Sequence, residues 1–297
     1  MKIVIKFFIL NIFFLFSINL QAQKSKRILL YEVPQTQTKL IQNSQTGFTA
    51  ISSMTDFNVI EQTTNNTEFT NIFTKNHYKT YTNIGEPQLP ACTKLIEVPQ
   101  GADVEINIID FTIEEISLKE YGFLNPIIPI QPSVKKSDDP ENLPFYFNSN
   151  TYENDDFYSP ELVRYIESGT LRGVQMGKIQ ITPFEYNPVR NILRVYKEIT
   201  FEVIFSGGNH SRSEQLKRKF YSPLFESSYH ALMNYSEPEN KYAISSYPIG
   251  YIIISDPMFE TMLQPFIEWK TKKGFHVYEA YTDEIGTTTT EIKNYIE

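Results

Sequence analysis

The chain has 297 residues, room for one large domain or two ordinary ones, so core size is not limiting. Proline (17) outnumbers glycine (12), and 22 Phe with 19 Tyr favour sheets and aromatic cores over helical bundles. With 27 basic against 35 acidic residues the formal net charge is −8, which argues against nucleic acid or an anionic membrane as partner.

At the N-terminus, Lys2 and Lys6 flank or enter the apolar run FFILNIFFLFSINL, which closes at Leu20-Gln21-Ala22. A basic start, a short apolar core and a small residue at the cleavage position predict a secretory signal over residues 1–22. The competing reading is a retained anchor, against which Asn11, Asn19 and the shortness of the core all count. No later segment has the roughly 18 uninterrupted apolar residues of a membrane span, so none is expected after signal cleavage.

From residue 23 to 206 the pattern is of short alternating runs cut by turn residues. VEINIID (104–110) sets Val104, Ile106 and Ile108 on one face, and ITFEVIF (199–205) does the same with Ile199, Phe201, Val203 and Phe205. Period two over this length predicts half-buried antiparallel strands. EYNPVRN, between KIQITPF (178–184) and ILRVY (192–196), reads as a hairpin connection. Several such runs with no convincing helix between them predict two packed antiparallel sheets, an all-β sandwich. Cys92, the single cysteine, sits in the apolar PQLPACTKLIEVP and has no local histidine; it reads as a buried structural residue rather than a nucleophile.

Residues 131–163 depart from this pattern, being rich in Pro, Asn, Asp and Ser and too long for a hairpin loop. The aromatics Phe145, Tyr146, Phe147, Tyr152, Phe157 and Tyr158 predict a segment that lies on the body of the domain. Asp138, Asp139, Asp155 and Asp156 lack the spacing of a calcium loop, so no metal ligand is assigned here. Residues 207–247 read as a basic linker: Gly207-Gly208 open it, and Arg212, Lys217, Arg218 and Lys219 cluster within it. Such a cluster binds an acidic surface, serves as a processing site, or is simply solvated; exposed tips are where nicking concentrates.

At residue 248 the period changes. YIIIS (251–255) is a continuous apolar run, as in a strand covered on both faces. Asp256-Pro257 suits a helix start, and Met258, Met262 and Phe266 with Phe259, Leu263 and Ile267 form one apolar face that Trp269 widens. Gly274 stops the helix, FHVYEA (275–280) is the next strand, and Thr288 with Glu291 has capping-box spacing for another helix. This is βαβα, the opening of a parallel α/β sheet. Two strands cannot cover such a helix, so further strands are expected beyond Glu297.

GEPQLP (85–90), IEVPQGADVEINI (96–108), GTLRG (169–173) and ITPFEYNPVRNILRVYKEITFEVIF (181–205) resemble the propeptide of the gingipain-type (C25) cysteine peptidases. Residues 251–297 resemble the start of the peptidase domain of that family. The resemblance implies an α+β multi-domain precursor: signal 1–22, propeptide β-sandwich 23–206, basic linker 207–247, and the first βαβα of the α/β peptidase domain at 248–297. It implies a zymogen exported to the bacterial outer surface or beyond, in which the propeptide assists folding and occludes the active site. Its partners would then be its own peptidase domain and, for the full-length enzyme, protein or peptide substrates.

The catalytic His and Cys of the family lie downstream of this βαβα start, so none can be carried over, and His276 reads as structural. No cofactor is expected in this fragment; structural calcium is conceivable in the missing peptidase domain. In basic-specific relatives a basic propeptide side chain can occupy the specificity pocket, which makes Arg172, Lys135 and Lys136 the inhibitory candidates here. The 212–219 cluster is the processing candidate, with a mature N-terminus between about Ser213 and Tyr251. Two other readings stay open: a transpeptidase of the same family, akin to the type IX secretion sortase, and a non-catalytic secreted β-sandwich binding module.

Overall fold

A computed structural model describes residues 24–31, 37–75, 78–79, 83–136, 143–238 and 249–297. The signal sequence, Asp138 and Asp139, and most of the stretch joining the linker to the βαβα segment lie outside the described residues. The strands, in chain order, are β1 (Ser25–Leu29), β2 (Gln37–Ser44), β3 (Gly47–Ser53), β4 (Asp56–Thr64), β5 (Thr67–Phe73), β6 (Tyr78–Lys79), β7 (Pro90–Glu97), β8 (Asp103–Ser117), β9 (Val163–Leu171), β10 (Val174–Ile181), β11 (Phe184–Asn187), β12 (Ile192–Ser206), β13 (Ile249–Ser255) and β14 (Phe275–Tyr281). The helices are α1 (Ser149–Tyr152), α2 (His210–Phe220), α3 (Glu226–Tyr229), α4 (Glu260–Lys272), α5 (Thr282–Ile285) and α6 (Thr289–Ile296). The described chain up to Ser206 is mostly antiparallel sheet. The whole chain divides into two compact units, one of Met1–Ile96, Asp103–Glu167 and Gly177–Ser206, the other of Glu97–Ala102, Ser168–Met176 and Gly207–Glu297.

In the first unit, β1, β4 and β5 form one antiparallel sheet in that order. Thr64 faces Thr67 across a two-residue turn in which Asn65 and Asn66 both have positive φ, 51° and 58°. That left-handed pair is what a tight hairpin demands, and asparagine is the non-glycine residue that tolerates it best. A second sheet runs β11-β12-β3-β2, with β8 along the other side of β12. Strand β12 alternates as expected: Ile199, Phe201, Val203 and Phe205 are buried, Thr200 and Glu202 are not. The Asn-Pro hairpin is present, but its first arm is β11 rather than the expected run from 178, because the chain turns at Thr182-Pro183 before pairing again.

One core cluster takes side chains from both sheets: Ile28, Phe57, Val59 and Ile72 from the first, Ile116, Phe184, Tyr186, Leu193 and Val195 from the second. Phe57 meets Phe184 edge to face at 5.6 Å. The buried Tyr186 hydroxyl donates to Asn191 Oδ1, and Asn191 Nδ2 donates to the Phe123 carbonyl, so these polar groups are satisfied inside the core. Strand β8 departs from its expected pattern. Val104 and Ile106 are half-buried but Ile108 is exposed, as are Ile109, Phe111 and Ile113. The cause is position: among the described strands β8 is paired on one side only, and register shifts against β12 fall at Tyr196/Glu198 and Thr200/Phe201.

Strands β6, β7, β10 and β9 form a third sheet in that order. In residues 249–297, β13 and β14 pair in parallel, Ile249 facing Phe275, with α4 between them in sequence. Asp256 accepts from the Met258 amide at 2.9 Å, and Thr288 and Glu291 form a reciprocal capping box at the start of α6. Gly274 at φ 91° ends the α4 region. The expected apolar face of α4 is not closed: Met262 is 76% and Trp269 47% exposed. No helix among the described residues is long and apolar enough to cross a membrane.

Candidate functional site

Lys135 and Lys136 are exposed and stand in the loop 132–145, whose two ends are held with care. The Gln131 side chain imitates a strand partner: its Nε2 donates to the Tyr146 carbonyl at 2.8 Å, and its Oε1 accepts from the Tyr146 amide at 3.0 Å. Below this clasp Ile130 exchanges backbone bonds with Gly85 and Glu86, and the Asn148 amide donates to the Gly85 carbonyl at 3.0 Å. Gly85 has φ 88°, a backbone conformation that suits glycine and lets the two segments approach. Past the clasp, Phe147 stacks on Tyr152 at 4.2 Å and Phe145 leans on Phe69 at 5.7 Å. The Tyr152 hydroxyl donates to the Ile127 carbonyl at 2.6 Å, and burial pushes that phenol far above its ordinary pKa. Two cations are thus presented on a loop whose base is braced.

Asp155 and Asp156 belong to the same segment. Asp155 pairs with Arg190 at 2.6 Å and accepts from Asn187 Nδ2, which holds its carboxyl below the usual carboxylate range. It anchors the segment to the β11–β12 turn.

Arg172 lies in the other unit, in the two-residue turn joining β9 to β10, with φ 47°. Its Nε donates to the Phe220 carbonyl at 2.9 Å and its guanidinium sits 5.0 Å from the centre of the Phe225 ring. A cation on the last carbonyl of α2 satisfies an orphan acceptor and complements the helix dipole. Arg172 is engaged inside its own unit, and Lys135 and Lys136 are exposed in theirs.

The 212–219 cluster lies on a helix, where the charge run alone reads as linker. Asn209 caps α2, accepting from the Arg212 amide at 2.9 Å, and Ser213 Oγ accepts from the Gln100 amide at 2.8 Å. Ser213 and Lys217, four apart, form the buried face. Lys217 is 3% exposed: its Nζ lies 2.7 Å from Glu97 Oε1 and 2.8 Å from Glu214 Oε1, and donates to the Ser236 carbonyl at 3.0 Å. Burial pushes the Glu97 carboxyl up and Lys217 pulls it back. The Asn234 amide bonds both backbone groups of Glu97, at 2.7 and 2.9 Å. Arg212, Arg218 and Lys219 remain exposed. All four processing candidates thus lie within α2, three with exposed side chains and Lys217 buried.

Cys92 is buried, and burial pushes its thiol up, opposed by Lys94 and Thr38. That is the opposite of an activated nucleophile. His276 is on β14 against the Tyr278 ring, at 4.6 Å between centres. Sequence reasoning missed the Gln131 clasp and the Glu97 partner of Lys217, which is far away in the chain; for Lys217 the local signal was Ser213 and Glu214 one turn before it.

The sequence profile of the C25 propeptide family (Propeptide_C25) matches residues 31–237. Lys-gingipain of Porphyromonas gingivalis is 33% identical over 284 residues, which is 95% of this chain and 16% of that protein. Gingipain R1 of the same organism is 24% identical over 208 residues, 69% of this chain and 20% of that protein. The chain thus spans about one sixth to one fifth of the length of these curated relatives. A solved structure described as giving insight into the zymogenic latency of gingipain K from Porphyromonas gingivalis matches with TM-score 0.57 and 34% identity, covering 62% of this chain and all of that one. A complex of Porphyromonas gingivalis RgpB pro- and mature domains matches with TM-score 0.54 at 20% identity, covering 67% and 98%, a likeness of fold.

Proposed function

Because the chain belongs to the C25 propeptide family, we propose that it is the N-terminal part of a secreted cysteine endopeptidase zymogen, in which loop 132–145 enforces latency on the peptidase domain of the same precursor. The observation that carries this reading is the braced base of the loop in which the exposed Lys135 and Lys136 stand. A clasp at the base lowers the ordering cost that binding must meet there, which favours placing a basic side chain of this loop in a pocket. Arg172 is the weaker candidate, since reaching a pocket would break its bond to Phe220 and its contact with Phe225.

On this reading residues 23–206 are a β-sandwich; the core shared by two of the three described sheets of this span supports that. Residues 248–297 are the opening βαβα of an α/β peptidase domain, which the parallel β13–β14 pair and the open face of α4 support. Processing falls at the exposed Arg212, Arg218 or Lys219 rather than at Lys217.

The test uses the full-length precursor, matured and separated into proregion and peptidase. The Lys135→Ala/Lys136→Ala proregion is expected to inhibit with a constant raised tenfold or more, roughly 1.4 kcal/mol of lost binding, while Arg172→Ala stays within about twofold. An unchanged constant for the double lysine variant rejects the reading.

A further inference from the structure

We infer that Glu226, His230 and Glu237 form a binding site for one divalent transition-metal ion of the zinc type. The His230 Nε2 lies 3.8 Å from Glu226 Oε1 and 3.8 Å from Glu237 Oε1. One ligand atom from each of the three falls within 4.8 Å of the others. Two ligands on a tetrahedral ion with bonds of about 2.1 Å stand about 3.4 Å apart. At the imidazole each carboxylate oxygen therefore needs to close by a few tenths of an ångström, and no pair of the three ligand atoms starts beyond 4.8 Å.

The spacing explains the placement. Glu226 opens α3, and His230 follows four residues later on the same helical face. Glu237 returns to that face after the chain has turned at Leu232–Tyr235. One imidazole nitrogen and two carboxylate oxygens are a zinc-like donor set, with a fourth position for water. They suit calcium poorly, which takes six to eight oxygens, and magnesium poorly, which keeps hard oxygen ligands and several waters.

Groups behind the ligands distinguish this cluster from a scatter of surface acids. The Tyr221 hydroxyl donates to Glu226 Oε1 at 3.4 Å, and the Tyr235 ring meets His230 edge-on at 6.0 Å and 86°. Tyr221 and Tyr235 stack on either side of the buried Tyr229, at 6.1 and 5.5 Å. A single aromatic stack thus braces two of the three ligands, the kind of outer support that fixes ligand orientation in metal sites. The ion would join α3 to residue 237, next to Ser236, whose carbonyl already accepts from Lys217. It fastens the end of the segment that matches the propeptide family. The site does not depend on the zymogen reading.

The test titrates the metal-free chain with zinc by calorimetry and with cobalt by visible absorption. One saturable site per chain is expected, with the cobalt bands of a four-coordinate ion. His230→Ala and Glu237→Gln should each weaken zinc at least tenfold, with thermal melts in EDTA showing that the variants fold. His210→Ala and His276→Ala should bind like the parent. Absence of saturable binding, zinc affinity unchanged in both site variants, or displacement of zinc by calcium at similar concentration would overturn the inference.

Discussion

Strand β12 and helix α4 both carry apolar residues at the period their geometry requires, but only β12 has its apolar face closed. Leu193, Val195, Ile199, Phe201 and Val203 are shut from solvent; β3, β8 and β11 flank β12, and the β1-β4-β5 sheet shares one core with Leu193 and Val195. Met262, Phe266 and Trp269 on α4 and Met258 in the turn before it remain exposed, and within 249–297 only Ala280 is buried. Phe266 does meet Tyr251 edge to face at 6.0 Å, and the Lys270 ammonium lies over the rings of Tyr251 and Trp269. These contacts cover part of one face of one helix. Periodicity identifies which face is apolar; closure depends on how many neighbouring elements there are to cover it.

The largest consequence should appear on β12. Phe201→Ala removes a fully buried ring and is expected to cost about 3–5 kcal/mol in urea unfolding, whereas Phe266→Ala on α4 should cost under about 1 kcal/mol. Equal losses would erase the contrast between the two regions. Next comes Lys217→Ala, which strands Glu97 and Glu214 around a vacated ion position. A loss of about 3 kcal/mol is expected, against less than about 0.5 kcal/mol for Arg212→Ala. A Lys-specific peptidase used sparingly should then cut after Lys219 well before Lys217.

A smaller effect, about 1 kcal/mol, is expected for Gln131→Ala, which opens the clasp under loop 132–145. Cleavage after Lys135 or Lys136 in limited proteolysis should speed up accordingly. The smallest is a pH effect at Asp155. Its carboxyl is held low by Arg190 and Asn187, so its stabilising contribution is present above the unfolded carboxylate range, near pH 4, and is lost as pH falls through the lower folded value. The gap in urea midpoint between parent and Asp155→Asn should therefore narrow on acidification below about pH 4; a gap that is constant with pH would remove Asp155 from the account.

What could be read from sequence was local. The alternation of β12, the Asn-Pro hairpin, the Asp256 cap and the Thr288–Glu291 capping box each depend on residues within a few positions of one another, and all are present. The aromatic segment 143–158 reads as one that lies on something, and the contacts of Phe145 with Phe69 and of the Tyr152 hydroxyl with the Ile127 carbonyl agree, although Tyr146 and Phe147 stay exposed. What failed was non-local. Ile108 has the period of a core residue but sits on a strand paired on one side only. The 212–219 run reads as solvated linker, yet Lys217 is buried through Glu97, which is far away in the chain. Among the inhibitory candidates, Lys135, Lys136 and Arg172 looked alike as basic residues near turns. Only the Phe220 carbonyl and the Gln131 clasp tell them apart.

Trp269 is the single tryptophan, so its fluorescence reports the open face of α4 without ambiguity. Acrylamide quenching of the folded chain is predicted to come within about twofold of that in urea, with emission close to that of a solvated indole, as expected for a half-exposed ring. A blue-shifted band that resists quenching in the folded chain and becomes accessible only on unfolding would show that residues 249–297 close a core of their own, and would contradict the account.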